Sequence, residues 1–383
     1  MTAALFFFWL ALALLVWVYL GYPLVAAAWG RLRPVRFRAD GSSPYLVTVG
    51  IAAHDAEANI AARVANVLAQ RVPFELEVVV ASDGSTDSSA AIVKAIAGAD
   101  ARVRLLDLPR IGQSAAQSAI FENARGDVVV LTDAETRFED DCLAALVAPF
   151  ASSRVGCVTG ILRWRYDAQS HTARHEGVYW RYEQLVRGWE SRAGWLSAGT
   201  GAVLAARRSL YRPAPAHASL DQMLPLYCRA SGATVLVAPD AVGMDRGTAS
   251  VSEQLRSRTR IATQGIEANL RMSLRIRPWR MPGAFVAIWS HKLLRWATPF
   301  LAVLAVLTGI ALYAAGESWL YLLPLAFSAA GLVLAGMGYA AAPRRWRIPV
   351  VGLPTTIAVV NLAFAIGWLN VVLRRPVRVW ESR

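Results

Sequence analysis

Three short acidic segments have the residue types and spacing to hold a metal ion and a phosphorylated ligand. They are 54–57 (His-Asp-Ala-Glu), 82–87 (Ser-Asp-Gly-Ser-Thr-Asp) and 133–135 (Asp-Ala-Glu). Each follows an apolar run rich in β-branched or small residues, which predicts a buried strand. Helix starts also favour Ser and Asp, so N-capping is an equal interpretation for Ser85 or Asp87. Capping alone does not require acidic residues after three strands, so the set indicates a binding site.

Asp133 and Glu135 are the strongest metal-ligand candidates. Residues two apart in an extended chain point to the same side, so we expect the two carboxylates to face each other. They would repel one another unless a cation lay between them. Mg²⁺ and Mn²⁺ prefer oxygen ligands and can bridge a diphosphate. Asp-x-Glu is a common tripeptide, and its place after a predicted buried strand is what gives it value.

The elements that must position these residues alternate between strand and helix along 45–245. Strands are expected at 45–52, 76–81, 103–107 and 127–132, and helices at 56–70, 88–97 and 113–123. Such alternation is typical of an α/β domain whose parallel sheet is covered by helices. Ligands in that architecture bind beyond the carboxyl ends of the strands, where the acidic segments are expected.

Both ends of the chain contain runs long enough to span a membrane. Residues 5–28 carry no charge, and the basic segment 31–38 follows at once, which predicts that this side is cytoplasmic. Three further apolar runs are at about 294–315, 319–339 and 350–372. Four spans would leave the basic tail outside, against the positive-inside tendency. Either a segment near 282–291 also enters the membrane, or the last run is re-entrant.

The sequence therefore divides into six parts. We expect an N-terminal transmembrane helix at 1–30, a basic linker at 31–44, a catalytic domain at 45–245, amphipathic interface helices at 246–292, about three transmembrane helices at 293–373 and a basic tail at 374–383. The net charge of +13 comes mostly from arginine. An anionic membrane surface explains it first and phosphate contacts second. We expect no nucleic-acid partner, because no compact basic motif with interleaved aromatic residues is present.

These motifs resemble the membrane-bound family 2 glycosyltransferases, which have the GT-A fold and are related to bacterial polysaccharide synthases. The resemblance covers about 45–300 and is carried by 51–57, 82–87, 112–117 and 133–135. It implies a Rossmann-like mixed sheet with flanking helices. It also implies Asp133 and Glu135 as ligands of a divalent Mg or Mn ion. The residues implied as nucleotide-sugar contacts are Ala53, Asp55, Glu57, Asp83, Gly112, Gln113, Asp133 and Arg260. Its departures from the family on the donor side include Asp55 for Asn, Ala56 for Glu, Gln113 for Lys and Gln117 for Asn, with Glu135 a conservative change in the metal-binding motif.

The acceptor side of the family's site has two counterparts in the chain. Gly199, Thr200 and Gly201 match its small-residue acceptor segment, and a close-packed strand–turn is an equal interpretation. Asp221 matches the family's catalytic base, although Leu220 replaces the acid that usually precedes it; a plain helix-start role is the alternative. One base suffices for direct displacement at an anomeric carbon.

The segment 256–261 resembles the Gln-x-x-Arg-Trp motif of processive synthases, but only Arg260 fits. Ser257 and Ile261 stand where that motif has Gln and Trp. A basic helix lying on anionic lipid is an equal interpretation for Arg256 and Arg258. Losing the aromatic platform favours a single addition, whereas the multi-helix C-terminal region favours polymer export. Nearby His291 is expected to anchor the membrane interface.

The resemblance implies an inverting hexosyltransferase in the inner (plasma) membrane, multi-pass, with its catalytic domain in the cytoplasm. It would use a UDP- or GDP-sugar donor and a lipid or glycan acceptor, alongside membrane lipids and partners of an export complex. The alternative is a non-catalytic, decayed subunit of such a complex. A transporter is not indicated, because the four apolar runs contain no charged residue apart from Arg295 at the start of the second.

Overall fold

The core of residues 45–245 is one eight-stranded sheet. The computed structural model describes residues 1–41, 43–165, 171–214, 218–246, 250–341 and 351–375. The strands are β1 Leu46–Ala53, β2 Glu75–Asp83, β3 Val103–Leu108, β4 Val128–Asp133, β5 Arg137–Phe138, β6 Val155–Arg165, β7 Leu204–Arg207 and β8 Thr234–Arg246. Their order in the sheet is β3-β2-β1-β4-β7-β6-β8-β5. The first four expected strands are therefore found within two residues of their predicted bounds.

The strand directions bring most carboxyl ends to one edge, which we call the rim. β1 to β4 are mutually parallel, and β7 runs antiparallel to both β4 and β6. β6 and β8 are parallel to each other, so they point the same way as β1 to β4. The antiparallel β7 instead starts at the rim. The mixed sheet of the GT-A expectation is confirmed.

Helices cover both faces of this sheet and continue into the apolar ends of the chain. They are α1 Thr2–Val16, α2 Tyr22–Leu32, α3 Ile60–Leu68, α4 Ser89–Ala99, α5 Gln113–Asn123, α6 Cys142–Val147, α7 His171–Ala193, α8 Leu220–Ala230, α9 Val251–Ser273, α10 Pro282–Ala287, α11 Thr298–Ala314, α12 Leu323–Ala341 and α13 Gly352–Val372. In β2, Val78 and Val80 pack with α3 and α4, whereas Val79 and Ala81 pack with α5 on the other face. This period of two explains why the strand is apolar throughout.

The helix expected from residue 56 begins only at Ile60. Asp55 has a positive φ of 46°, which an αR helix does not allow. The backbone N–H of Ala56 donates to the Ser89 hydroxyl at 2.8 Å rather than to a helical carbonyl. Tertiary hydrogen bonds thus hold the chain after β1 as a turn that projects toward the rim.

Within the part of the chain that the structure describes, three helices are long and apolar enough to cross a membrane: Thr2–Leu32, Trp319–Ala341 and Gly352–Val372. Thr2–Leu32 joins α1 and α2 through a π-helical segment, Trp17–Gly21. The expected run at 294–315 is different, because Pro282–Leu294 and Thr298–Ala314 meet at a 63° bend and count as a fourth span only if taken together. The segment near 282–291 therefore belongs to the apolar helical region.

The helices at the two ends of the chain pack on each other and on the catalytic region. α1 packs on α11, α2 on α7, and α13 on α9. At Gly367 of α13, an added Cβ would lie 2.9 Å from the Cβ of Ala262 in α9. Only a glycine permits so close an approach, so α9 is held directly against α13, a helix long and apolar enough to span a membrane.

A buried ion cluster joins these parts. Its members are Glu183, Arg187 and Glu190 of α7, and His291, Lys292 and Arg295 near the bend before α11. The Glu183 carboxylate accepts hydrogen bonds from Lys292 Nζ at 2.8 Å and from Arg295 Nη1 at 2.5 Å. Its Oε2 also lies 3.1 Å from His291 Nε2. Burial raises the pKa of Glu183, but these cationic partners hold it well below its usual value. Glu183 therefore stays ionised.

The cluster also reaches the first membrane helix. Glu190 accepts a hydrogen bond from the Tyr22 hydroxyl at 2.5 Å and lies 2.7 Å from His291 Nδ1. Both Glu190 and His291 are at most 3% exposed. One network of buried polar side chains thus ties α2, α7 and the segment before α11 together, and His291 lies inside it.

We expect Glu183→Gln to lower the free energy of unfolding by about 3–5 kcal/mol, because it leaves several buried cations without their shared anion. The measurement is thermal unfolding of the protein in detergent or nanodiscs. Glu267→Gln is the matched control, since its bond to Arg271 lies on the surface of α9. That loss should cost less than about 1 kcal/mol. Equal effects of the two changes would contradict a central role for Glu183.

Candidate active site

A cleft of about 300 Å³ opens at the rim. Most predicted site residues line it: Asp55, Gln113, Asp133, Glu135, Gly199, Thr200, Gly201, Asp221 and Arg260. The other predicted residues do not line the cleft: Ala53, Glu57, Asp83 and Gly112. Residues separated by up to about half the chain are thus brought together by the convergence of strand ends.

Asp83 does not line the cleft but fixes the turn that leads into α5. It is fully buried and accepts backbone N–H bonds from Ile111 at 2.6 Å and Gly112 at 2.9 Å. Gly112 has φ 91°, a conformation that favours glycine. This turn sets the start of α5, where Gln113 donates from Nε2 to Asp133 Oδ1 at 3.2 Å. The nucleoside contact expected of Asp83 stays a prediction.

Asp55 and Glu57 lock the turn after β1 to the turn after β2. Asp55 Oδ1 accepts from the Thr86 N–H at 2.7 Å, which lowers the pKa of Asp55. Glu57 Oε2 accepts from the Ser88 N–H at 3.0 Å, and the Glu57 N–H donates to Asp87 at 2.9 Å. Asp55 faces the cleft, whereas Glu57 is exposed outside it.

Asp87 is not the N-cap of α4, which is Ser88, but its carboxylate still contacts the first turn of that helix. Its Oδ1 accepts the N–H of Ser89, the first residue of α4, at 2.9 Å. The Asp87 carboxylate thus binds the first N–H of α4 and also the N–H of Glu57 in the turn after β1.

Asp133 lies at the end of β4 in the middle of the rim. The chain turns back there, because the Thr136 N–H donates to the Asp133 carbonyl at 3.3 Å. Glu135 therefore reaches the cleft through a reverse turn and not through strand alternation. Burial is the main reason that the pKa of Asp133 rises to about 6, and the charges of Asp245 and Asp221 raise it too.

The acidic side chains around Asp133 suit a hard divalent cation. Among the described residues, no three His, Cys, Asp or Glu side chains form a preassembled metal site. Asp133 nevertheless feels the repulsion of two other carboxylates, with Arg260 and Arg63 offsetting it only in part. A cation near Asp133 and Glu135 would relieve this repulsion, with ligand phosphates supplying the remaining oxygens.

Asp221 lies against the glycine-rich segment before β7. It is the second residue of α8, two positions after the N-cap Ser219, whose hydroxyl donates a hydrogen bond to its carboxylate. A Cβ on Gly201 would lie 2.5 Å from Asp221 Oδ2 and 2.9 Å from its Cβ. The glycine at 201 is therefore what allows the carboxylate to occupy this part of the cleft.

Arg187 connects the same glycine-rich segment to the ion cluster. Its guanidinium donates to the Thr200 hydroxyl at 2.7 Å and to the Gly199 carbonyl at 3.2 Å. Its Nε pairs with Glu183 at 3.1 Å. The segment is fixed further by Thr159, whose hydroxyl accepts the Thr200 N–H at 2.9 Å.

The α9 helix forms one wall of the cleft. Arg260 faces Asp133 closely enough to lower its pKa. Arg258 is buried over the Trp180 ring at 5.0 Å, while Arg256 is exposed and does not line the cleft. Ile261 does line the cleft. The position at which processive synthases have the tryptophan of their Gln-x-x-Arg-Trp motif therefore faces the cleft.

The family model for glycosyl transferase family 2 matches residues 48–212. This stretch spans β1 to β7 and includes Asp133, Glu135 and the glycine-rich segment. Residues 48–212 are a family 2 glycosyltransferase domain.

Curated relatives of the glycosyltransferase domain carry related names. The chain is 26% identical over 267 residues to an N-acetylglucosaminyltransferase of Sinorhizobium fredii, covering 66% of the chain and 63% of that protein. It is 35% identical over 113 residues to glycosyltransferase AglD of Haloferax volcanii, covering 29% of the chain and 18% of that protein. The chain thus spans less than two thirds of the length of these relatives.

The fold extends over nearly the whole chain in one solved structure. The mannosyltransferase PcManGT from Pyrobaculum calidifontis, solved with GDP-Man and Mn²⁺, superposes with a TM-score of 0.72. The match covers 96% of this chain and 99% of that one at 21% identity. The apolar helices at the two ends of the chain, as well as residues 48–212, therefore have a counterpart there.

Several residues that line the cleft were not expected from sequence. They are Asp245, Trp164, Trp180, Arg187, Gln254 and Lys292. Asp245 could have been found by the rule that placed Asp133, because it also lies near the carboxyl end of a strand that reaches the rim. The others come from β6, α7, α9 and the segment before α11, where no motif distinguishes them from packing residues.

We expect Gly201→Ala to lower the rate of sugar transfer by about 100-fold, because its methyl group displaces Asp221 from the cleft. The measurement is transfer activity in membranes, with thermal unfolding as the check on folding. Gly98→Ala in α4 is the matched control, since a Cβ there meets nothing within 4 Å. Wild-type activity in Gly201→Ala would show that the close approach to Asp221 has no catalytic value.

Proposed function

We propose that the chain is an inverting glycosyltransferase that moves a hexose from a nucleotide-sugar donor to an acceptor hydroxyl at the cytoplasmic face of the membrane. The observation that carries this is Asp221, held in the cleft against Gly201 of the segment before β7, two strands from β1 in the sheet. Asp221 lies at the proposed acceptor segment, whereas Asp133 and Glu135 lie at the centre of the rim.

The donor side is assigned from the order of the strands. The turns after β1 and β2 hold Asp55 at one end of the cleft, where we place the nucleoside. Gln113 and Arg260 flank Asp133 and are suited to the diphosphate, because an arginine guanidinium matches phosphate oxygens. GDP-Man in the mannosyltransferase and the names of the N-acetylglucosaminyltransferases support a GDP- or UDP-hexose donor.

Asp221 is assigned as the general base. The acceptor hydroxyl attacks the anomeric carbon, and its proton passes to the Asp221 carboxylate as the new C–O bond forms. The bond between that carbon and the diphosphate oxygen breaks, and the nucleoside diphosphate leaves with the electron pair. Attack from the side opposite the leaving group inverts the anomeric configuration, and no protein nucleophile is required.

A divalent Mg or Mn ion is proposed as the cofactor. Asp133 and Glu135 would hold it, and when bound it would offset the charge that develops on the leaving diphosphate. Mn²⁺ in the mannosyltransferase supports this assignment. The raised pKa of Asp133 fits it as well, because the repulsion among the cleft carboxylates has no evident structural purpose.

The non-catalytic alternative is disfavoured by the same repulsion. A decayed site would gain stability by losing one of the repelling carboxylates Asp133, Asp221 and Asp245, yet all three remain. For the location, the basic segment 31–38 after the first membrane helix supports a cytoplasmic catalytic domain in a multi-pass inner-membrane protein.

We expect Asp221→Asn to lower the rate of transfer by about 10²–10⁴-fold while leaving nucleotide-sugar binding intact, because only the proton acceptor is lost. Radiolabel transfer in membranes and equilibrium binding of the donor measure the two effects. Asp141→Asn is the control, since Asp141 is the N-cap of α6 and lies outside the cleft. Full transfer by Asp221→Asn would remove Asp221 from the mechanism.

We also expect excess chelator to stop turnover and added Mn²⁺ or Mg²⁺ to restore it, because the leaving diphosphate then lacks its counter-charge. The measurement is initial rate against free metal concentration, with chelator pre-saturated by metal as the control. Unaffected turnover in excess chelator would overturn the assignment of Asp133 and Glu135 as metal ligands.

A further inference from the structure

Two tryptophans form an aromatic wall on one side of the cleft. Trp164 lies on β6 and Trp180 on α7, and their ring centroids are 5.7 Å apart at 43°. Arg258 of α9 lies over the Trp180 ring at 5.0 Å and fixes it. All three residues line the cleft. We call Trp164 and Trp180 the aromatic wall.

The aromatic wall is on the acceptor side of the reacting centre. β6 is three strands from β1, which corresponds to roughly 14 Å at about 4.8 Å per strand step. A nucleoside bound at the end of β1 is therefore too far away to stack there. Trp164 pairs in register with Asp245 of β8, which lines the same cleft as Asp133 and Asp221. The wall thus adjoins the catalytic carboxylates.

Unpartnered polar groups line the same cleft as the aromatic wall. Gln254 of α9 is 1% exposed and lines the cleft, yet neither its Oε1 nor its Nε2 has a hydrogen-bond partner among the described residues. The indole Nε1 of Trp164 and Oδ1 of Asn269 lack partners in the same way. Buried amides are normally satisfied, so a donor and an acceptor facing a cleft without partners point to a ligand.

We propose that the aromatic wall and Gln254 form a subsite for a sugar ring of the acceptor, which assigns the acceptor as a glycan or a lipid-linked sugar. This deepens the proposed function and rests on it. A pyranose ring has an apolar C–H face that packs on aromatic rings and a rim of hydroxyls that both donate and accept hydrogen bonds. Gln254 offers both complements in one side chain.

The subsite also accounts for Ile261. The tryptophan expected at that position would have supplied an aromatic platform from α9. Here Trp180 and Trp164 supply it from α7 and β6, on the neighbouring wall of the same cleft. Binding a sugar next to Asp221 would present one of its hydroxyls for attack, which a lipid phosphate without a sugar cannot do.

The test compares three acceptor probes with radiolabelled nucleotide sugars: a prenyl diphosphate carrying one sugar, a short-chain alkyl glycoside, and a prenyl phosphate without sugar. Wild-type protein should transfer to at least one sugar-bearing probe and not to the sugar-free phosphate. Hydrolysis of the donor by water is measured in parallel. Equal transfer to the sugar-free prenyl phosphate would overturn the assignment.

Variants separate binding from folding. Trp180→Ala and Gln254→Leu should each raise the KM for the sugar-bearing probe by about tenfold and leave the KM for the donor unchanged. Trp180→Phe should keep most of the affinity, because it retains an aromatic face. Trp319→Ala, in the exposed turn before α12, is the control. Unchanged KM values for the acceptor in both Trp180→Ala and Gln254→Leu would overturn the subsite.

Gln254→Leu is informative even if Trp180→Ala fails to fold. Removing a buried amide without partners should leave the unfolding temperature equal to or above that of the wild type. Loss of acceptor affinity together with unchanged or raised stability is not the result of a structural role. Wild-type protein that hydrolyses the donor but uses no sugar-bearing probe would sink the subsite alone. Neither hydrolysis nor transfer with any nucleotide sugar would sink the proposed function itself.

Discussion

The buried carboxylate of Glu183 is the contact on which the arrangement of the molecule depends. It gathers Arg187, His291, Lys292 and Arg295, and through His291 and Glu190 it reaches the first membrane helix. A buried ion network stabilises only when every member is paired, so these elements have one favourable relative placement. Arg187 extends that placement to the Thr200 hydroxyl. The glycine-rich segment 199–201 is therefore positioned by the same network that docks the apolar helices at the ends of the chain.

The cleft brings together carboxylates that repel one another. Parallel strands deliver Asp133 and Asp245 to one rim, and α8 adds Asp221, with the result that the pKa of Asp133 rises to about 6. Folding alone would favour fewer acids here, and such local conflicts concentrate at functional sites. Gly201 completes the arrangement by letting Asp221 approach the backbone. A site of this kind is suited to a divalent cation that offsets the negative charge of a leaving diphosphate.

The sequence predicts the parts of this account that have local signals. Strands β1 to β4 and helix α5 follow from apolar runs and turn residues, and Asp133, Asp221 and Gly201 follow from motif resemblance. The late start of α3 could not be read, because it depends on hydrogen bonds to Ser85, Ser89 and Asp87 more than 25 positions away. The ion cluster has no signal either, since Glu183 and His291 are ordinary residues until the fold pairs them. The aromatic wall fails for the same reason, because Trp164 and Trp180 look like packing residues.

The central claim is a single displacement in which Asp221 deprotonates the acceptor. The most direct measurement is the anomeric configuration of the product, determined by proton NMR after transfer from a nucleotide sugar of known configuration. The account predicts that the new glycosidic bond has the configuration opposite to that of the donor. A product that retains the donor's configuration would contradict it, because retention requires a second displacement or an attack from the side of the leaving group.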